Sequence, residues 1–320
     1  MFGFKGSAGN QKNTTSDLAE GRLPSSVTER LKRVTTGSLP STSDLSVNEF
    51  HYLQRFGIRP LSLVMGSSVY RYVNPVAGYV DHIPPLPGSY HLNNFNRDVL
   101  SAHESALERL NGEAQALNAD AVVGMTLHRR EIDNGVTELM YLGTAVAFAA
   151  GTGANKYGVL SSFLPAQDFC ALLANGYLPV RVVVGSSLIL YIPDYYEHTL
   201  LEGGQAAFPQ IFTGAFNTNQ EIKGLSNACA EVYQNLRRQY NLLLDQEVPG
   251  HAVMGVNVSF GREEYSVGIP SYDFFPGSMS NECETVGSFL LTGTLTGTLV
   301  ARVDRERQCP PVLPVLWLNG

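Results

Sequence analysis

One stretch of this chain is written twice. SVNEFHYLQRFGIRPLSLVMGSSVYRY (46–72) aligns without a gap on PAQDFCALLANGYLPVRVVVGSSLILY (165–191), at an offset of 119 throughout. Phe50 falls on Phe169, Leu53 on Leu172, Gly57 on Gly176, Pro60 on Pro179 and Gly66 on Gly185. The correspondence continues downstream at larger offsets. AVVGMTL (121–127) matches AVMGVNV (252–258) at 131, and LGTAVA (142–147) matches TGTLTG (292–297) at 150. The second copy is thus longer by insertions of 12 and then 19 residues. Matches in one order along the chain mean a duplicated unit, and whatever folds the first copy must fold the second.

Each copy reads the same way. A short amphipathic helix comes first, with Phe50 and Leu53, or Phe169 and Leu172, on one side and Gly57 or Gly176 as its stop. A Val/Leu-rich strand follows, at 61–65 and at 180–184. Next is a loop, at 74–95 and at 193–220. A long helix comes after it, with Val99, Ala102, Ala106, Leu110, Ala114 and Leu117 in the first copy at spacings of three or four. Leu225, Cys229, Val232, Leu236 and Tyr240 repeat that stripe in the second. Two strands close each unit. Residues 121–130 and 137–148 turn at Asp133-Asn134-Gly135, and 252–260 and 287–301 are joined by the insertion 261–286. The expected fold is α+β, with two tandem β-α-β-β units, each preceded by a short helix.

Five segments follow: a flexible N-terminal part (1–45), a first unit (46–150), a linker (151–164), a second unit (165–303) and a C-terminal arm (304–320). In the first segment Ser25 or Ser26 with Glu29 predicts a capped short helix. The arm, DRERQCPPVLPVLWLNG, is apolar and proline-broken, which predicts a strip laid on a neighbouring surface.

The chain carries a net charge of −7 and has no Lys/Arg run, which argues against a nucleic-acid partner. No apolar stretch is long enough to span a membrane, and the start has no signal-peptide pattern, so the expected location is cytoplasmic. Cys170, Cys229, Cys283 and Cys309 are widely spaced and form no CxxC, which predicts reduced thiols.

Residues 116–148, ALNADAVVGMTLHRREIDNGVTELMYLGTAVAF, resemble the closing half of the YbjQ-type domain, a family labelled "putative heavy-metal-binding". The residues that carry the likeness are Ala119, Asp120, Ala121, Val122, Val123 and Gly124, then Gly143, Thr144, Ala145 and Val146. In the second copy His251 replaces the aspartate, Met254-Gly255 keeps the strand, and Gly293-Thr294 keeps the end. The resemblance implies a dodecin-like subunit that assembles with itself into rings, typically of five. It implies no catalytic mechanism.

Gly-Ser-Ser at 66–68 and 185–187 invites a catalytic or phosphate-loop reading. It lacks the Gly-x-Ser-x-Gly elbow and the P-loop lysine. The plainer reading is a glycine that lets the strand bulge or brings backbones close, at a repeated strand end. For a metal, the candidates are the acid–histidine pairs after the first strand of each copy: Asp81 and His82 with His91, and Glu197 with His198. A divalent ion is the cofactor they would hold. Thr292, Thr294, Thr296 and Thr298 place a polar ladder on one sheet face, either a lumen or an interface between the copies. Tyr195, Tyr196, Tyr265, Phe274 and Phe275 fall in insertions, where exposed aromatics or the C-terminal arm would meet a protein partner. No nucleophile–base–orienter set can be assembled. The leading expectation is a non-enzymatic homo-oligomer, possible ligand or metal binding by the loops being the alternative.

Overall fold

The computed structural model describes residues 17, 23–37, 42–71, 86–133, 136–149, 157–194, 197–198, 201, 221–245, 252–270 and 283–302. In the first half these form α1 (Ser25–Thr35), α2 (Val47–Arg55), β1 (Ile58–Arg71), β2 (Gly88–His91), α3 (Asn93–Ala116), β3 (Ala121–Asp133) and β4 (Val136–Phe148). The second half adds β5 (Leu160–Ser161), α4 (Ala166–Ala174), β6 (Tyr177–Ile192), α5 (Lys223–Asp245), β7 (Ala252–Pro270) and β8 (Cys283–Arg302). The fold is mixed α+β, with two four-stranded sheets ordered β1-β4-β3-β5 and β2-β6-β8-β7.

Several elements depart from the sequence expectation. β1 and β6 run well past their Val/Leu cores, so Gly-Ser-Ser sits in mid-strand and not at a strand end. The pairing is unbroken there, Gly66 opposite Tyr141 and Gly185 opposite Leu295, so neither glycine makes a bulge. Much of 261–286 is strand, because β7 and β8 continue as one long hairpin. α1 forms, but Pro24 occupies its cap position and no side chain caps it. The capping box belongs to α2, where Ser46 and Glu49 bond reciprocally.

Register also corrects the alignment of the last strand. Pro60 lies opposite Val146, and its counterpart Pro179 lies opposite Val300. Thr144 therefore corresponds to Thr298, and LGTAVA to TGTLVA (296–301). Thr-Gly-Thr-Leu occurs twice in β8, and sequence similarity alone selected the wrong one. Both first strands shift register at the same place, after Pro60 and after Pro179. Both third strands bulge at a left-handed glycine, Gly124 (φ 61) and Gly255 (φ 61).

The short strands β2 and β5 fall in stretches read as loop and linker. Each crosses to the other half's sheet. β2 pairs antiparallel with β6, and β5 pairs parallel with β3.

In the first half α3 packs its stripe on β1 through Ala106, Leu110 and Ala114. A Cβ on Gly66 would penetrate the Ala106 carbonyl oxygen and stand 2.5 Å from the Leu110 nitrogen. Gly66 is what allows the helix that close. In the second half the nearest atom to a Cβ on Gly185 is the flexible Gln239 Oε1, at 3.3 Å. Beneath α3 the His103 Nδ1 and the Tyr141 hydroxyl are 2.6 Å apart in the core. Burial, helped by nearby Arg129, lowers His103 to about 4, and burial raises Tyr141. Glu113 is also buried. It accepts from Met65 N (3.0 Å) and Arg30 Nη2 (2.7 Å), tying α1 to the sheet. Burial raises its pKa despite these partners.

Two outcomes follow. Gly66→Ala should lower the denaturation midpoint clearly, by about 1–3 kcal/mol of overpacking, while Gly185→Ala should cost less; chemical denaturation of both variants compares them. His103 is neutral when folded and takes a proton below about pH 6.5 when unfolded. Its stabilisation is thus complete above pH 6.5 and declines as pH falls toward 4, by up to about 3 kcal/mol. Unfolding free energies measured across that window should fall less steeply for His103→Gln.

Candidate functional site

The seam between the halves is the most elaborated feature of the fold. Residues 160–164 lie along the outer edge of β3. Leu160 N donates to Asp120 O and Ser162 N to Val122 O, both at 3.0 Å. Met125 N donates back to Ser162 O (3.0 Å) and Gly124 N to Leu164 O (3.1 Å). The bulge at Gly124 lets two successive N–H groups point outward to this strip. Side-chain hydrogen bonds hold the strip to the second sheet as well: Ser161 Oγ accepts from Val182 N (3.0 Å), and Thr298 Oγ1 accepts from Phe163 N (3.0 Å).

The strip runs straight into α4, whose Ala166, Phe169 and Cys170 are buried with Leu53, Ala121, Val123 and Val146 of the first half. The Phe169 and Phe148 rings stack 6.3 Å apart. Glu49 Oε1 accepts from Ala166 N (3.3 Å). Burial raises the Glu49 carboxyl, but bonds from Ser46 and Ala166 outweigh it and the net shift is down. The Cys170 thiol is pushed up to about 12 by burial, so it stays protonated and unreactive at neutral pH.

Two clefts adjoin the seam. The first, of about 250 Å³, lies between Thr292 and Thr294 on one side and Tyr70, His103 and Arg129 on the other. The threonine ladder therefore faces the first half. On its reverse face Gly293 admits α5, since a Cβ there would strike Val232 and Leu236. The second cleft, of about 350 Å³, is lined by His91, Asn96, Ser187, Asn235 and Arg238 among others. There Gln239 holds the backbone of Ser186 at both ends, its Oε1 accepting from Ser186 N (3.1 Å) and its Nε2 donating to Ser186 O (2.7 Å). Asn235 Nδ2 reaches the Ser187 hydroxyl (3.3 Å). In the second copy the Ser186 backbone and the Ser187 hydroxyl thus serve helix–strand docking.

The sequence-predicted ligands are dispersed. Asp81 and His82 lie outside the described residues, as do Tyr195, Tyr196, Phe274, Phe275 and the C-terminal arm. His91 meets Asn235 Nδ2 at 3.2 Å and Glu231 Oε2 at 3.5 Å. Glu197 accepts from the Tyr191 hydroxyl and from Gly224 N (2.7 Å), tying the loop after β6 to the start of α5. Burial, then the Glu197 carboxylate, raises the Tyr191 phenol. His198 Nε2 accepts from Gly287 N (3.2 Å). Among the described residues no three His, Cys, Asp or Glu side chains converge as a metal site. Sequence reasoning missed His103, though it shares the α3 stripe with Val99 and Ala106. It also missed Glu49 and Ser162, whose roles lie across the seam and leave no local periodicity.

Comparison with known proteins agrees with the first-half geometry. Residues 56–149 match the model of the YbjQ family, described as "Putative heavy-metal-binding". The chain is 33% identical over 185 residues to "Encapsulin nanocompartment protein Rv1762c" of Mycobacterium tuberculosis, covering 56% of this chain and 68% of that protein. It is 38% identical over 58 residues to UPF0145 proteins of two Halobacterium salinarum strains, covering 18% of this chain and 56% of each relative. No helix among the described residues is long and apolar enough to cross a membrane. With a family model on its first half and a relative matched over two thirds of its length, the chain belongs to the YbjQ-type family.

Proposed function

We propose that this chain is a non-enzymatic, self-assembling structural or binding protein, made of two tandem YbjQ-like units (46–150 and 165–303) that close with other copies into a ring. The observation that carries the proposal is the seam. The second half docks on the first by an asymmetric contact, a strip and helix on one side and a sheet edge on the other. Such a head-to-tail contact leaves one donor surface and one acceptor surface unused on every chain, and repeating it gives a ring when the rotation closes. A five-membered ring of units cannot be built from whole two-unit chains, so five-fold symmetry here means five chains and ten units. The non-enzymatic reading is supported by the placement of the acid–base groups with shifted pKa. Tyr141 and Cys170 lie in packed cores, and His103, which reaches one wall of the cleft of about 250 Å³, is 3% exposed with its Nδ1 held 2.6 Å from the Tyr141 hydroxyl.

A protein partner would meet the insertions or the C-terminal arm. The mycobacterial relative's name makes a nanocompartment shell the partner class to examine. A second reading, ligand binding, is favoured by the polar cleft around His91, where a histidine, a carboxylate and an amide already meet. A divalent ion there would need ligands beyond His91, and Asp81, His82, Glu197 and His198 are the sequence candidates to supply them.

Light scattering on size-exclusion-purified protein at micromolar concentration should return a multiple of the 34.8 kDa chain mass; a single-chain mass would sink the ring. Zinc, copper and nickel titrations of the full chain and of His91→Ala and His198→Ala test the second reading. It predicts affinity lost at least tenfold in a variant, and equal affinities remove these residues as ligands.

A further inference from the structure

We infer that residues 42–45 and the exposed face of α2 in one chain dock on the β7 edge and α4 of the next copy, remaking between chains the seam that joins the halves within one. This rests on the self-assembly proposed above and names the surfaces responsible for it.

The donor strip exists in both halves. Thr42-Ser43-Asp44-Leu45 corresponds to Ser161-Ser162-Phe163-Leu164 at the repeat offset. The two are held alike. Thr144 Oγ1 accepts from Asp44 N (3.3 Å) and lies 3.3 Å from Ser43 Oγ, while Thr298 Oγ1 accepts from Phe163 N (3.0 Å) and lies 3.4 Å from Ser162 Oγ. Leu45 N donates to Ser43 Oγ (3.1 Å), as Leu164 N does to Ser162 Oγ (3.0 Å). The first-half strip is thus shaped for the pairing that the second-half strip makes on β3.

The acceptor edge also exists in both halves. β3 receives its strip at the Gly124 bulge, and β7 has the same bulge at Gly255. β3 is covered by β5, whereas β7 ends its sheet among the described residues. The equivalent acceptor and donors are Val253 O, Gly255 N and Val256 N.

Exposure then separates each pair of counterparts. On the donor side Ala166 and Phe169 are 0% exposed, but Val47 is 86% and Phe50 42% exposed. On the acceptor side Val123 is 0% and Met125 3% exposed, but Met254 is 39% and Val256 46%. Exposed apolar residues are ordinary singly. Here each is exposed where its counterpart is buried, Ala166, Phe169 and Val123 at the seam and Met125 in the α3-side core that Val182 of the second half joins, and the two sets are complementary in kind. The occupant they fit is a second copy of this chain. The inter-chain seam is not an identical copy. Phe148, which stacks on Phe169, corresponds to Arg302, so Phe50 would meet a guanidinium, an arrangement with its own attraction.

The test is a double variant, Val47→Cys with Met254→Cys, in full-length chains whose Cys229, Cys283 and Cys309 are serine. Treatment with a short bismaleimide should give a ladder above dimer on a denaturing gel. Mass spectrometry should find the 47–254 linked peptide, and the single-cysteine controls should stop the ladder. A Val47→Asp, Phe50→Asp variant should drop to the single-chain mass with unchanged circular dichroism. An oligomer that gives no 47–254 link, or a variant that keeps full mass, overturns this interface while leaving self-assembly standing. A wild-type monomer overturns both.

Discussion

The structure depends on how one sheet edge is closed. The outer edge of β3 presents unpaired backbone groups, and such an edge is a liability in water. Residues 160–164 close it with four backbone hydrogen bonds and bring α4 down on the same side. Phe169, Ala166 and Cys170 then leave solvent completely. A fully buried Phe-sized side chain contributes roughly 1.5–3 kcal/mol, so the helix secures what the strip begins. Without that strip the Gly124 bulge would have no purpose, because its extra outward N–H would meet only water.

The halves solve the same helix–strand problem with different chemistry. In the first, a glycine lets α3 approach β1 to backbone contact, and a buried carboxylate, Glu113, bridges to Arg30 of α1. In the second, the approach is wider and a neutral amide, Gln239, spans the gap with two hydrogen bonds. A neutral amide needs no counter-ion, whereas a buried charge must be paired. This accounts for α1, which supplies that pair, being docked on the first half. The Gly-Ser-Ser pattern common to both is the footprint of helix docking on a mid-strand position.

Between the halves the polar groups are arranged to join surfaces. Thr298 and Ser162 satisfy backbone N–H groups of the strip, Ser161 accepts from Val182 N of β6, and Thr292 and Thr294 line the adjoining cleft. The histidines follow the same logic. His103 is sequestered against Tyr141, His91 is shared with α5, and His198 accepts from a backbone N–H of β8. Each is an internal tie between elements of the fold.

Read from the residues alone, the chain yields an internal sequence repeat, the α+β class, the order of helices and long strands, and the apolar stripes of α3 and α5. These signals are local: periodicity, glycine stops and a hairpin turn lie within a few residues of what they specify. The sequence also pointed to the YbjQ-type family through the Asp120–Gly124 and Gly143–Val146 segments. It misplaced the end of the second copy, because Thr-Gly-Thr-Leu occurs twice in β8 and only pairing against β6 selects between them. It could not find β2 or β5, since strands of four and two residues carry no period. It gathered acids and histidines by their neighbourhood in the chain, while the fold drew His91 to α5 and Glu197 to Tyr191 and Gly224. Which half pairs with which edge was decided only in three dimensions, because a backbone hydrogen bond has no side-chain code and its partner is whatever edge the rest of the fold leaves open.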